Sequence, residues 1–187
     1  MKRMFIAIPI QETSRNAIIK AVMADEKAKR MPVRWTSVQN LHLTMQFLGD
    51  VDEKRIPDLK SLIDSITAPA QPESLVFTGL GAFPNPASPR ILWIGIKKND
   101  VLQKMQKQLT NSLFERGFDA DRKRFSPHLT LGRVRENVRF DPENYNYLEN
   151  IVTAAVIPDS PLDRVTLFES FLRPGGPIYR VLYEKKW

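Results

Sequence analysis

Cysteine is absent from the 187 residues, and histidine occurs only twice. The first absence removes disulfides, thiolate metal sites and cysteine nucleophiles, and it fits a reducing compartment, so a cytoplasmic protein is expected. Two dispersed histidines argue against a dedicated zinc site, and no metal or cofactor is expected. The chain has only eight glycines, with no glycine-rich phosphate loop or dinucleotide fingerprint among them, so ATP use is not indicated. Long apolar runs are missing as well. No stretch approaches the roughly 20 residues needed to span a bilayer, so no membrane association is expected. Lys2 and Arg3 precede the apolar run Met4-Phe5-Ile6-Ala7-Ile8, but Pro9, Gln11 and Glu12 cut that run too short for a signal peptide, and it reads as a buried strand.

An apolar fraction of 42% argues against disorder, and the length suits one domain or two small packed lobes. Lys plus Arg outnumber Asp plus Glu by 28 to 21, for a net charge of +7. That excess favours anionic partners such as phosphates or RNA, although ordinary solvated surface would carry it equally well.

Both histidines are followed by Leu and then Thr, in Leu41-His42-Leu43-Thr44-Met45 and Pro127-His128-Leu129-Thr130-Leu131. With nine threonines in 187 residues, composition alone gives this double coincidence a chance of (9/187)², about 0.2%. The surroundings repeat too. A strand over 4–10, an amphipathic helix over 13–30 on Ala17, Ala21, Ala24 and Ala28 with Ile18 and Val22 beside them, a short extended piece at 33–35 and a strand over 42–48 lead to a helix on Ile56, Leu59, Ile63 and Ile66 and a strand over 74–83. From Arg90 the order restarts: a strand at 91–96, a helix on Leu102, Met105, Leu109 and Leu113 closed by Gly117, a strand over 126–134, a weakly helical region at 143–156 and a strand over 162–172. Phe5 precedes His42 by 37 residues, and Leu92 precedes His128 by 36. The expected fold is α+β and duplicated: two antiparallel sheets backed by helices and facing each other across a central cleft. The lobes should occupy about 1–83 and 90–172 of a single domain, with a last strand at 178–183 outside the repeat. The proline-rich segment 83–89 separates them, as a linker or as a loop beside a site.

Side chains two apart on a strand share a face, so each strand delivers a His-Thr pair to the cleft while Leu43 and Leu129 enter the core. An imidazole can move a proton near neutral pH, and a hydroxyl can bond a phosphate oxygen. In-line displacement at phosphorus needs a base on the entering oxygen and an acid on the leaving one, on opposite sides. Two opposed histidines meet that demand. A single His-x-Thr would more often be ordinary strand; the duplicated pair reverses those odds.

His42-Leu43-Thr44-Met45-Gln46-Phe47-Leu48-Gly49 and Pro127-His128-Leu129-Thr130-Leu131-Gly132-Arg133 resemble the two HxTx motifs of the two-histidine phosphoesterase superfamily, and within it the bacterial and archaeal RNA 2',3'-cyclic phosphodiesterases, historically called 2'-5' RNA ligases. The likeness extends to Val33-Arg34-Trp35, Glu169-Ser170-Phe171-Leu172 and Gly176-Pro177-Ile178-Tyr179; Met45 and Gly132 are mild departures. The resemblance implies a bilobal fold and metal-independent opening of a terminal 2',3'-cyclic phosphate to a 2'-phosphate. It casts His42 as proton donor to the departing 3' oxygen, His128 as proton acceptor from water, and Thr44 and Thr130 as ligands of the non-bridging oxygens. Near symmetry of the motifs allows the reverse orientation of the histidines. Implied partners are RNA ends such as tRNA fragments, or small cyclic nucleotides, met by a monomer. The same site would serve 2'-5' ligation or 2'-5' oligonucleotide cleavage, and a non-catalytic RNA-end binder is the reading from another class.

Arg133, five residues after His128, points away from the site on a regular strand, but a bulge at Gly132 would turn it inward to a phosphate. Phe47 holds the matching place in the first copy and would share the cleft wall, where it could stack on a base. Trp35 offers stacking too, but core packing is the better account. Arg122, Lys123 and Arg124 can track RNA or be solvated loop charge. Glu169, Ser170 and Tyr179 are further candidates for the cleft.

Overall fold

The structure, a computed structural model, describes residues 1–120 and 124–187. In chain order the elements are β1 (Lys2–Pro9), α1 (Glu12–Met23), α2 (Glu26–Arg30), β2 (Val33–Trp35), β3 (His42–Val51), α3 (Ile56–Ser65), β4 (Ser74–Leu75), β5 (Phe77–Phe83), β6 (Ile91–Ile96), α4 (Asp100–Glu115), β7 (His128–Val134), α5 (Pro142–Ala154), β8 (Ser160–Pro161), β9 (Arg164–Phe171) and β10 (Ile178–Lys186). No helix among the described residues is long and apolar enough to cross a membrane.

The strands form two antiparallel sheets. One runs β10-β9-β1-β3; the other runs β7-β6-β5, with β2 on the outer side of β7. They join through a single residue pair, Leu43 with Leu129. The small pair β4-β8 ties the segments that follow α3 and α5. Helices cover one face of each sheet and leave the other to the cleft.

The strands are exchanged between the sequence halves. β5, the last strand of the first half, pairs with β6, and β9, the last strand of the second half, pairs with β1. Each sheet therefore draws strands from both sequence halves. A short connection makes β5 and β6 natural antiparallel neighbours, and β9 repeats that pairing at long range. β10, which runs to Lys186, extends the first sheet from its β9 edge.

Helix α4 shows how periodicity becomes packing. Leu102, Met105, Leu109 and Leu113 are its buried residues, and Asn99 caps its start by accepting the Leu102 N–H at 2.9 Å. Burying each such side chain stabilises by about 1.5–3 kcal/mol. Gly117, at φ +70°, receives the chain in the left-handed turn that a Cβ would disfavour. The first helical region departs from expectation. Asp25 interrupts it, capping α2 through the Ala28 N–H; α1 buries Ile18 and Val22 together with Ser14, while of the four alanines only Ala28, in α2, is buried. Branched side chains bury more apolar area than alanine does, so they set which face turns inward.

Candidate active site

β3 and β7 each begin at their histidine. Leu43 and Leu129, 1% and 0% exposed, pair with each other and point to the helices. Their neighbours on both strands consequently share the opposite face. In antiparallel register this sets His42 beside Thr130 and Thr44 beside His128. Four polar side chains thus surround a local two-fold through the leucine pair.

Each imidazole is fixed the same way. His42 Nδ1 lies 2.7 Å from the Asn40 carbonyl, and His128 Nδ1 lies 2.8 Å from the Ser126 carbonyl, in both cases two residues upstream. A carbonyl oxygen only accepts, so Nδ1 carries the hydrogen and Nε2 keeps its lone pair for the cleft. His42 Nε2 also lies 3.0 Å from Thr44 Oγ1, whose hydroxyl donates to it while the ring is neutral. Asn40 is anchored in turn, donating through its amide nitrogen to the Pro177 carbonyl at 2.6 Å.

Beyond the threonines both strands bulge. Trp93 pairs with Thr130 and Leu92 with Gly132, so Leu131 is the extra residue in β7. Ala7 pairs with Thr44 and Ile6 with Gln46, so Met45 is the extra residue in β3. One added residue flips the alternation of everything after it. Arg133 and Phe47 therefore return to the histidine face. Gly132 has a second reason to be glycine: a Cβ there would lie 2.7 Å from Val33 Cγ1 and 3.0 Å from the Arg34 carbonyl, too close for β2 to pair.

Aromatic rings enclose the histidines unequally. His42 contacts Phe5 at 4.8 Å and the edge of Tyr179 at 5.3 Å between centroids, with Phe168 at 6.3 Å. His128 meets Phe83 edge-on at 5.1 Å and Trp93 at 5.9 Å. Burial pushes the His42 pKa down to about 4, against the opposing pull of the Asn40 carbonyl, and repulsion from His128 adds to the drop. That repulsion places the two rings within electrostatic reach. Burial likewise raises the Tyr179 hydroxyl, while Arg133 and Arg3 pull the other way, so Arg133 acts across the cleft on the first sheet.

Of the other sequence candidates, Ser170 and Tyr179 pair with each other on the face of Phe168, toward His42. Glu169 points to the opposite face, 5% exposed and held by Lys2 and Arg180. Trp35 is half-buried and packs against the core. Arg124 lines a hollow at the Ser126-Pro127 entry to β7; Arg122 and Lys123 lie outside the described residues. Phe5, Phe168, Phe83 and Trp93 were not singled out by sequence reasoning. Phe5 sits in an unbroken apolar run, where a two-residue period is invisible, and only its pairing with Phe47 reveals its face. Among the described residues no three His, Asp or Glu side chains form a group able to hold a metal ion.

The family model for LigT-like phosphoesterases matches the chain twice, over residues 8–93 and 94–179. An RNA 2',3'-cyclic phosphodiesterase of Thermotoga maritima is 34% identical over 97% of this chain and 94% of its own. One from Archaeoglobus fulgidus is 33% identical over 96% and 97%. Among solved structures, the TT0787 protein of Thermus thermophilus superposes with a TM-score of 0.79 at 25% identity, covering 98% of this chain and 97% of that one. Escherichia coli LigT complexed with 3'-AMP gives 0.73 at 24% identity over 99% and 97%, a likeness of fold.

Proposed function

The chain belongs to the LigT-like phosphoesterase family and is a hydrolase of phosphoesters, and we propose that its substrate is an RNA ending in a 2',3'-cyclic phosphate, which it opens to a 2'-phosphate without a metal ion. The observation that carries this reading is the matched anchoring of the two rings: both Nδ1 atoms are committed to main-chain carbonyls, and both Nε2 atoms are left for one shared face. The names of the relatives support the substrate class.

In this mechanism water attacks phosphorus and gives a proton to His128 Nε2. The bond from phosphorus to the 3' oxygen breaks, and that oxygen takes a proton from His42 Nε2. The products are a 2'-phosphate and a free 3' hydroxyl, with the protonation of the two rings exchanged and restored through solvent. Thr44 and Thr130 bond the non-bridging oxygens, and Arg133 balances the charge that builds on them. Phe47, 62% exposed on the same face, stacks on the terminal base. His42 is neutral in the free protein at pH 7. The arriving phosphodiester anion favours its charged form, so His42 gains its proton with the substrate. The lack of cysteine accords with a cytoplasmic setting for this reaction.

The test is to incubate the protein with an oligonucleotide carrying a 2',3'-cyclic end, in excess EDTA, and identify the product. Complete conversion to a 2'-phosphate is expected. Persistence of the cyclic end, or turnover only after metal is added, would overturn the reading.

A further inference from the structure

Two open basic hollows flank β7, one at each end, and they differ in chemistry. At the Val134 end a hollow of about 1040 Å³ is lined by Arg34, Arg90, Arg133, Arg135 and Arg139, with Glu136 as its one acid. At the Ser126 end a hollow of about 940 Å³ carries Lys98, Lys104, Lys107 and Arg124. We infer that the arginine hollow is a second anion subsite, which holds backbone phosphates on the 5' side of the reacting end and makes the enzyme prefer an oligonucleotide to a cyclic mononucleotide. This deepens the RNA-end reading above and rests on it.

Continuity is the first argument. Arg133 belongs both to the histidine face and to the hollow, so a chain leaving the site past Arg133 enters the arginines directly. The chemistry of the end leaves one way out: both the 2' and 3' oxygens are in the cyclic ester, so every further phosphate lies on the 5' side.

Unspent charge is the second argument. None of the five arginines has an ion pair or a side-chain hydrogen bond among the described residues, and neither does Glu136. Arg34 and Arg133 sit directly opposite each other on β2 and β7. Like charges in that position destabilise a sheet, and an anion bound between them reverses the sign. Their main chains are nevertheless held firmly. Val134 donates to the Arg90 carbonyl at 3.0 Å, and Arg135 donates to the Pro32 carbonyl at 2.8 Å. Unpaired guanidinium forks carried on an anchored main chain and lining a common space suit phosphate oxygens, which they can bind two at a time. The volume, about 1040 Å³, lies just above the roughly 300–1,000 Å³ typical of small-molecule pockets, room for more than one phosphate. The lysine hollow also adjoins the site, through Trp93 and Ser126 beside His128, but it lacks Arg133 and the facing pair that Arg133 makes with Arg34.

The experiment compares 2',3'-cyclic AMP with a five-nucleotide oligoadenylate bearing the same cyclic end. Three proteins are used: the natural one, a triple variant Arg90→Gln, Arg135→Gln, Arg139→Gln, and a control Lys98→Gln, Lys104→Gln, Lys107→Gln. The natural protein should favour the oligonucleotide at least about tenfold in kcat/KM. Its salt dependence on that substrate should be steeper by about two in log-log slope, the effect of roughly three neutralised phosphates in a single strand. The arginine variant should lose both differences and keep its rate on the mononucleotide, and the lysine variant should keep all three. Equal rates on the two substrates in the natural protein, or loss of the preference in the lysine variant alone, would overturn the inference. If the triple variant does not fold, the corresponding Arg→Lys variant and the salt slopes of the natural protein decide it. Binding of a 3'-phosphorylated oligoadenylate, followed by fluorescence anisotropy with the His42→Ala protein, tests the subsite apart from turnover. No turnover of either cyclic substrate, with salt-sensitive binding that needs the arginines, would sink the proposed reaction and leave the subsite standing; weak binding unaffected by the arginines would remove the subsite.

Discussion

The two copies of the His-x-Thr strand share a main chain and differ in what surrounds it. Both rings bond a carbonyl two residues upstream, and both strands bulge just after the threonine. Yet His42 is packed among Phe5, Phe168 and Tyr179 and bonded to Thr44, whereas His128 meets Phe83 and Trp93 beside two basic hollows. At the place where the bulge returns a side chain to the cleft, one copy presents Phe47 and the other Arg133. Duplication thus supplies a symmetric frame with two unlike walls, and under the proposed function the aromatic one would take the base and the cationic one the phosphates.

The largest expected effect tests what the copies share. His42→Ala and His128→Ala should each lower kcat by about 10² to 10⁴ with the fold intact, as judged by circular dichroism. A large loss in only one of them would break the symmetry of the chemistry. Next, Arg133→Gln should reduce kcat/KM by about 10- to 100-fold, because a charge-assisted bond to phosphate is worth roughly 1.5–3 kcal/mol. Phe47→Ala should cost about tenfold, mainly through KM, as expected when a stacked base loses its platform. If Phe47→Ala were as harmful to kcat as Arg133→Gln, the division of labour between the copies would be wrong.

The smallest effect concerns protonation. With only two histidines, imidazole resonances should show His42 titrating near pH 4 in the free protein, with inorganic phosphate moving that midpoint upward. The sign for stability follows from the same shift. The unfolded chain takes up a proton below about 6.5 while the folded one waits until about 4, so this contribution is present above 6.5 and is lost as pH falls through that window. Urea unfolding at pH 7 and pH 4.5 should show the natural protein losing about 2 kcal/mol more than a His42→Gln variant. Equal losses would mean that His42 is not held neutral by its surroundings.

Much of this was legible before the structure. The repeated strand order, the buried stripe of α4 and the pairing of each histidine with its threonine follow from periods of 3.6 and 2.0. Gly132 even signalled the bulge that carries Arg133 inward. The strand exchange was not legible, because which partner β5 and β9 choose is a matter of long-range pairing that leaves no local period. Nor were the Asn40 and Ser126 carbonyls, since a main-chain acceptor carries no residue signature. In α1 the sequence set Ile18 and Val22 beside the alanines, and the fold buries these two more deeply than Ala17 and Ala21, because branched side chains remove more apolar area from water. The arginine hollow gathers residues from β2, the loop between β5 and β6, β7 and the loop after β7, and only the folded arrangement sets Arg34 against Arg133.

The central claim is that His42 and His128 act on one phosphate as a unit. It is tested most directly by a double-mutant cycle on kcat for a 2',3'-cyclic-ended oligonucleotide, comparing His42→Ala, His128→Ala and the double variant. The account predicts that the double variant is no worse than the more damaged single, because removing either ring already disables the shared proton transfer. Losses that multiply would show two groups acting independently and would contradict it.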